Sequence, residues 1–425
     1  MKALKDNIVL KVLSLNSFSV AISFVLGVFS SKIIAVYLGS SGMALMGSFR
    51  NFTSMIKSLA TLGISNAVIK LFVENKENKE VLSIIYSTFF WLFLGLSSFL
   101  GLLVCAFAAP IAVFLFFNEA YTIPVRFFGL MLPLMVINTF WLAIYNSFEK
   151  YKRIVLIQII SNILIFGVTA LLIYKKLIFG GLLSIVIGEV IMVMITFLFV
   201  RNEGNYFRFD LQKVVQKKHL KVVSQFSVMA LLSAVLIPIT LIFIRDELVK
   251  NYSINEAGIW DAANRLSGFY MMFFSSGLTL YYMPKLASIH TESAFKAELK
   301  SYFKILVPIF FFVLTFIFLG KQFLLELAFT KEFYVINDFL IWQLAGDFIK
   351  IITLAFGFQI LVKTMIKRYF AVELVFNLTY ILLALFMMQS DGAAGAVKAY
   401  FYANVIGLFF VLFLFRNLFF KAKAI

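Results

Sequence analysis

Charge is scarce in this chain. Only 14% of its 425 residues are Asp, Glu, Lys or Arg, against roughly 25% in a soluble domain, while 62% are hydrophobic and Phe alone counts 53. No polar stretch is long enough to fold as a separate aqueous domain, which excludes a soluble catalytic domain and leaves helices and short connections. The single cysteine, Cys105, excludes an intrachain disulfide. The two histidines, His219 and His290, fall in basic connecting segments without thiol or carboxylate companions, so neither a metal centre nor imidazole acid–base chemistry is indicated, and no cofactor is implied. Acids are rarest in the first half, where every one before Glu189 lies at a membrane edge or in a connection. The first apolar run follows Lys2 and Lys5 but lacks a small-residue cleavage site and continues at full spanning length, so it reads as a retained helix.

What remains is apolar helix. Runs of about 20 apolar residues number about twelve, which makes the chain an all-α integral membrane protein. The expected spans are 8–37, 43–72, 81–109, 123–148, 154–174, 178–200, 222–244, 257–289, 302–319, 338–362, 369–388 and 394–415. With the amino terminus inside, most Lys and Arg of the connections fall on the cytoplasmic side, and the opposite side holds Lys175, Lys176, Arg245, Lys250, Lys321, Lys331 and Lys398. That asymmetry places both termini in the cytoplasm and accounts for most of the +17 net charge without any nucleic-acid partner.

The one break long enough to divide the chain is 201–221, where Phe207, Phe209, Leu211, Val214 and Val215 alternate with Lys213, Lys217, Lys218 and Lys221. The pattern suits an amphipathic helix on the cytoplasmic leaflet, or else a solvated basic loop. It separates an N-terminal lobe, 1–200, from a C-terminal lobe, 222–425, of six helices each. The lobes read as repeats: Gly42, Arg50 and Lys70 in the first recur as Gly258, Arg265 and Lys285 in the second, offset by about 215 residues, as in transporters built from two related halves.

Polar residues in the spans lie on single helix faces. Arg50, Thr53, Ser54, Lys57 and Thr61 follow helical spacing in a segment otherwise built of Phe, Met, Ile and Leu, with no acid within reach in that helix. A charge at membrane depth is costly, and two cations on one face repel unless an anion lies between them, so Arg50 and Lys57 point to an anionic ligand. Asn16, Ser19, Ser23, Gly27 and Ser30 form a matching stripe in span one, and Gln158, Ser161, Asn162 and Thr169 another in span five. Lipid satisfies none of these groups, so they face a bundle interior or a water-filled cavity, either bridging helices or lining the cavity. In the second half Asp261, Asn264, Arg265, Gly268 and Ser275 share a face of span eight, and Asp261 is spaced to pair with Arg265. Gln343, Gly346, Asp347 and Lys350 do the same in span ten, with Asp347 spaced to pair with Lys350. Glu373, Asn377 and Tyr380 form a stripe in span eleven, and Glu189 stands alone in span six. Either the pairs neutralise one another, or Asp347 or Glu373 senses an ion gradient; Glu373, with no basic residue one turn away, is the better candidate.

With these residues in view, the chain resembles the Wzx-type flippases, the lipid III and O-antigen translocases of the multidrug, oligosaccharidyl-lipid and polysaccharide exporter superfamily. The resemblance runs end to end. It is most specific in 42–70 with Phe49-Arg50 and Leu59-Ala60-Thr61-Leu62-Gly63-Ile64, in Ala257-Gly258-Ile259-Trp260, and in Trp342-Gln343-Leu344-Ala345-Gly346-Asp347 with Lys350, Lys363 and Glu373. Lys57, Asp261 and Arg265 match no family motif. The resemblance implies a multi-pass protein of the bacterial inner membrane, not an enzyme, that moves undecaprenyl-pyrophosphate-linked oligosaccharide from the cytoplasmic to the outer face. Such a substrate has a sugar head that cannot cross hydrocarbon, a pyrophosphate that needs cations and a tail that stays in lipid. Arg50, Lys57 and Arg265 are then the pyrophosphate ligands, arginine offering bidentate donors. Asn16, Ser19, Ser23, Thr53, Ser54, Thr61, Gln158, Asn162 and Asn264 line the glycan path, and Pro238 supplies a bend in span seven as the lobes rock.

Two other functions fit the composition less well. A cation-coupled drug exporter of the same superfamily is expected to carry a membrane-embedded acid early in its first half, and a glycan polymerase or acyltransferase needs a sizeable loop or a His–carboxylate constellation. Gly-xxx-Gly packing motifs are not prominent, so a monomer is expected, with the polymerase and ligase of its pathway as candidate partners. The charge distribution makes a direct prediction. A reporter fused after Lys218 reads cytoplasmic and one fused near Asn251 reads external; both on one side would remove the twelve-span arrangement.

Overall fold

The computed structural model describes residues 8–63, 65–202 and 217–420. Its elements, in order, are α1 (Ile8–Ala60), α2 (Ser65–Glu74), α3 (Lys79–Ala106), α4 (Ala108–Phe116), α5 (Thr122–Ser147), α6 (Tyr151–Asn202), α7 (Lys217–Asn251), α8 (Ile254–Gly277), α9 (Met283–Ser288), α10 (Glu292–Leu319), α11 (Lys321–Ala328), α12 (Ile336–Val362), α13 (Ile366–Leu414) and α14 (Arg416–Phe420). Short 3₁₀ turns precede α5 and α12, and no strand occurs among the described residues. Eight described helices are long and apolar enough to cross a bilayer. Phe312, Phe316 and Phe386, at 70%, 77% and 75% exposure, show what the outer surface is made of: side chains suited to lipid and unsuited to water.

Three helices are too long to be single spans. α1, α6 and α13 hold 53, 52 and 49 residues, about 75 Å each if straight, against a hydrocarbon core of about 30 Å. Each is broken at one residue with positive φ, namely Gly39, Leu177 and Gly392, and so supplies two of the expected segments. The turns in α6 and α13 are copies of one another. Leu177 has φ 48°, ψ −130° and Gly392 φ 52°, ψ −128°. Three residues on, a Cβ on Gly180 would lie 2.0 Å from the Leu172 carbonyl oxygen, and one on Gly395 would lie 2.2 Å from that of Met387. Residues eight apart in a straight helix are about 12 Å apart, so both chains double back sharply, and only glycine lets the arms close this tightly.

The same correspondence appears in how the arms are tied. Ser19 donates to Gln158 Oε1 (3.2 Å) and Asn162 Nδ2 to Ser23 Oγ (2.8 Å), both joining α1 to α6 across 139 residues. Thr240 donates to Asn377 Oδ1 (2.9 Å), joining α7 to α13 across 137 residues. Asn162 and Asn377 thus hold equivalent places about 215 residues apart, so the internal repeat extends to side-chain chemistry.

Three expected spans are interrupted. The segment 43–72 ends as a helix at Ala60, where Leu62 and Gly63 take positive φ and the Gly63 N–H reaches back to Ser58 O (3.2 Å), a glycine-based helix stop. The segment 257–289 passes through a π turn at Leu278–Tyr282 before α9; Pro284 lacks the N–H that an α-turn needs, and the widened turn absorbs the mismatch. The segment 81–109 divides into α3 and α4 at Phe107.

The chain forms two compact units. One comprises the residues up to Leu38 with Leu45–Pro238; the other comprises Gly39–Ala44 with Ile239 onward. The division falls at Pro238, inside α7, and not in 201–221, of which 203–216 lie outside the described residues. In the first unit an aromatic column of Phe72, Tyr86, Phe93 and Phe140 fills the interior. There Gly101 and Gly129 let α3 and α5 touch backbone to backbone, a Cβ on Gly101 falling 2.3 Å from Gly129 O. In the second unit carboxylates brace two turns: Glu332 accepts from Ser40 Oγ beside Gly39, and Glu256 accepts from Ala393 N (3.0 Å) beside Gly392.

Leu177 is the strained member of the matched turns, because an L residue at that φ costs about 1–2 kcal/mol that glycine does not. Leu177→Gly is therefore expected to raise the thermal unfolding midpoint in detergent by a few degrees. Gly392→Val, whose Cβ would lie 3.0 Å from Glu256 Oε2, is expected to lower it. Shifts of the same sign in both variants would show that the two turns are not equivalent.

Candidate functional site

In the first unit the second arm of α1 is anchored by Phe49, fully buried against Phe116 and Phe128. Helical geometry then turns the next residue, Arg50, out of that packing to a half-buried position. Phe52 repeats the anchor one turn on, and between the two anchors and Ala60 lies a polar face. Thr53 Oγ1 donates to Arg50 O (3.0 Å), Ser54 is exposed, and Lys57 is half-buried. Thr61 falls in the turn after the helix, buried, its hydroxyl donating to Ser58 O (3.1 Å), so it leaves the stripe that its spacing suggested.

Glu189 does not stand alone. Its Oε2 lies 2.7 Å from Lys57 Nζ, and the two side chains are 34% and 27% exposed. The anion that answers Lys57 is therefore the chain's own, carried in from the second arm of α6. Helical spacing on either segment carries no sign of it, since 132 residues separate the pair. Ser19, Ser23, Gln158 and Asn162 are spent largely on each other in the α1–α6 ladder, with Ser23 also donating to Ser19 O (2.9 Å). They act first as helix ties. The side chain of Asn16 lies outside the described residues.

In the second unit Asp347 is fully buried on α12. Its carboxylate accepts hydrogen bonds from Ser267 Oγ (2.6 Å), Tyr270 Oη and Tyr400 Oη (2.8 Å). The expected pairing with Lys350 is not formed: Lys350 Nζ lies over the Tyr400 ring, 5.8 Å from its centroid. Three hydroxyls from two other helices outcompete a residue on the same helix because they approach end-on within a dry interior, where a short hydrogen bond needs no second buried charge. The sequence reading missed all three; Ser267 and Tyr270 stand one turn apart on α8, a spacing that could have marked them, while Tyr400 had no local signal.

Asp261, on the same α8, lies within electrostatic reach of Arg245, a buried cation of α7 that its position near a span end had assigned to a connection. Asn264 donates to Trp260 O (3.1 Å), and Arg265 is half-buried one residue on. Glu373 accepts from Asn377 Nδ2 (3.4 Å), which also donates to its backbone oxygen (2.8 Å), while Tyr380 is buried one turn further.

A family model described as polysaccharide biosynthesis protein matches residues 33–337. The chain belongs to that family. The matched stretch takes in Arg50, Lys57, Glu189, Asp261 and Arg265 and stops short of Asp347 and Glu373. Lipid III flippases of Escherichia coli (strain K12) and Shigella flexneri are each 25% identical over 391 residues, covering 89% of this chain and 91% of theirs. Among solved structures, the lipid II flippase MurJ in an inward closed conformation aligns with a TM-score of 0.75 at 16% identity, over 94% of this chain and 87% of its own. An inward-facing multidrug resistance transporter of the MOP superfamily aligns with 0.74 at 16%, over 94% and 96%. The fold is that of this superfamily, and the chain is a multi-pass membrane protein.

For this family member the Asp347 cluster is a support for the second unit. Asp347→Leu strands three buried hydroxyls at about 1 kcal/mol or more each and is expected to lower the unfolding midpoint strongly. Asp347→Asn, which keeps an acceptor, is expected to lower it less. Equal midpoints for Asp347→Leu and the parent would show that the cluster carries no stability.

Proposed function

We propose that this chain is a flippase, not an enzyme, which moves undecaprenyl-pyrophosphate-linked oligosaccharide from the cytoplasmic to the outer face of the bacterial inner membrane by alternating access. The lipid III repeat unit and O-antigen repeat units are the substrate class. The observation that carries the reading is the polar, cationic face Arg50–Thr53–Ser54–Lys57, held half-open at membrane depth by the buried anchors Phe49 and Phe52. A face of this kind, with two cations and hydroxyls at helical spacing, suits a pyrophosphate with an attached sugar. The 25% identity to lipid III flippases along nearly the whole chain supports the same substrate class. Arg50 is the primary pyrophosphate ligand, Lys57 the second, and Arg265 a cation of the second unit with the same task. Both termini lie in the cytoplasm on the charge asymmetry, the protein works as a monomer, and the polymerase and ligase of its glycan pathway are its candidate partners.

A drug exporter of the same fold is the other reading. It calls for a carboxylate open to an organic cation in the first unit. Glu189 is the embedded acid there, and Lys57 occupies it.

The test is complementation of a flippase-null strain. A charge-assisted bidentate contact is worth about 1.5–3 kcal/mol, so Arg50→Ala is expected to cut flipping by roughly ten- to a hundredfold while the protein still reaches the membrane. Arg50→Lys keeps part of the activity. Full activity in the alanine variant would remove Arg50 from the site.

A further inference from the structure

The Lys57–Glu189 pair invites a question that the pyrophosphate reading leaves open. A flippase of this kind works in a bilayer rich in phospholipids whose phosphodiester headgroups are themselves anions. A bare ammonium at membrane depth would be occupied by them. Lys57 is not bare: Glu189 Oε2 holds it at 2.7 Å, yet both side chains stay about a third exposed (27% and 34%). Fully buried ion pairs are sealed structural elements. This one is open on one side to whatever fills the space along the polar face of α1, and so an anion from that space can exchange with the carboxylate.

We infer that Glu189 is an internal counter-anion that holds the place of the substrate's pyrophosphate at Lys57 and thereby excludes singly charged phospholipid headgroups. The inference rests on the flippase reading above and adds a specificity-determining residue to it. A monoanion that displaces Glu189 exchanges one negative charge for another, and it competes against a carboxylate tethered at high effective concentration. It also leaves that carboxylate unpaired at membrane depth. A diphosphate diester carries two charges. It can answer Lys57 with one phosphate and reach Arg50 with the other, since seven residues of helix separate the two Cα atoms by only about 10 Å and both side chains are long and flexible. Exposed Ser54 lies between them on the same face. Either anion leaves the carboxylate unpaired, and only the substrate offsets that cost with a second contact, so exchange favours the substrate over the solvent lipid, a case of selectivity built from a competing contact inside the site.

The test uses the full-length protein in nanodiscs, with undecaprenyl pyrophosphate as the probe and phosphatidylglycerol raised stepwise in a phosphatidylcholine bilayer. For the parent protein, probe affinity is expected to change little as phosphatidylglycerol rises. Glu189→Gln is expected to bind the probe more tightly in pure phosphatidylcholine and to lose about tenfold or more as phosphatidylglycerol is added. The double variant Lys57→Met with Glu189→Met removes both charges, folds without an unpaired ion, and is expected to bind weakly with no phosphatidylglycerol dependence. If Glu189→Gln proves unstable, Glu189→Asp, which keeps the charge on a shorter arm, is expected to show an intermediate loss. Probe affinity in Glu189→Gln or Glu189→Asp as insensitive to phosphatidylglycerol as in the parent would overturn the inference while leaving the flippase reading intact. So would a double variant as sensitive as Glu189→Gln, because the competing lipid would then sit elsewhere than at Lys57. A parent protein that binds no undecaprenyl pyrophosphate at all would overturn both.

Discussion

Hydrocarbon offers no hydrogen bonds, and many polar groups of the described helices answer to that constraint. Hydroxyls in the helices turn back on their own backbone, as Thr88 does to Ile84 O and Ser147 to Ala143 O. Polar amides find partners on the neighbouring arm, as Asn162 and Asn377 do. Carboxylates are used where the backbone itself is exposed by a sharp turn, as with Glu256 at Ala393. The one fully buried acid among the described residues, Asp347, draws three hydroxyls around itself in place of a second charge. The face of α1 differs from these groups in that Ser54 is exposed and Lys57 only half-buried.

The two units solve the same packing problem with the same parts and then diverge in charge. The matched turns at Leu177 and Gly392 and the matched ties of Asn162 and Asn377 are scaffold. The ionic features are not matched. The first unit carries an accessible Lys57–Glu189 pair, while the second buries Asp347 among tyrosines and sets Arg245 near Asp261.

Much of the fold was legible because membrane helices are specified locally. Composition, run length and the excess of Lys and Arg in alternate connections do not depend on distant contacts. The breaks were less legible. Pro284 and Gly63 announce their interruptions only when the π turn and the helix stop are seen, since apolar residues continue through both and hydropathy alone reads them as one span. The turn at Leu177 falls in the connection that the run lengths left between 174 and 178, beside Lys175 and Lys176, but the positive φ of a leucine there has no signature in the sequence and shows only in the close approach of the two arms of α6. At the site, the Phe49-Arg50 pair and the face it leads were readable from helical spacing on one segment.

The sequence by itself determined that this is a helical membrane protein with related halves and with cations on one face of an early helix, because these properties depend on local periodicity and on the cost of charge in lipid. Only the tertiary structure decided which charges answer which. Lys57 meets Glu189 from 132 residues away, and Asp347 turns from Lys350 to Ser267, Tyr270 and Tyr400. In a low-dielectric interior the strongest partner is the one that packing brings end-on to the group, and packing between distant helices leaves no trace in the spacing of either.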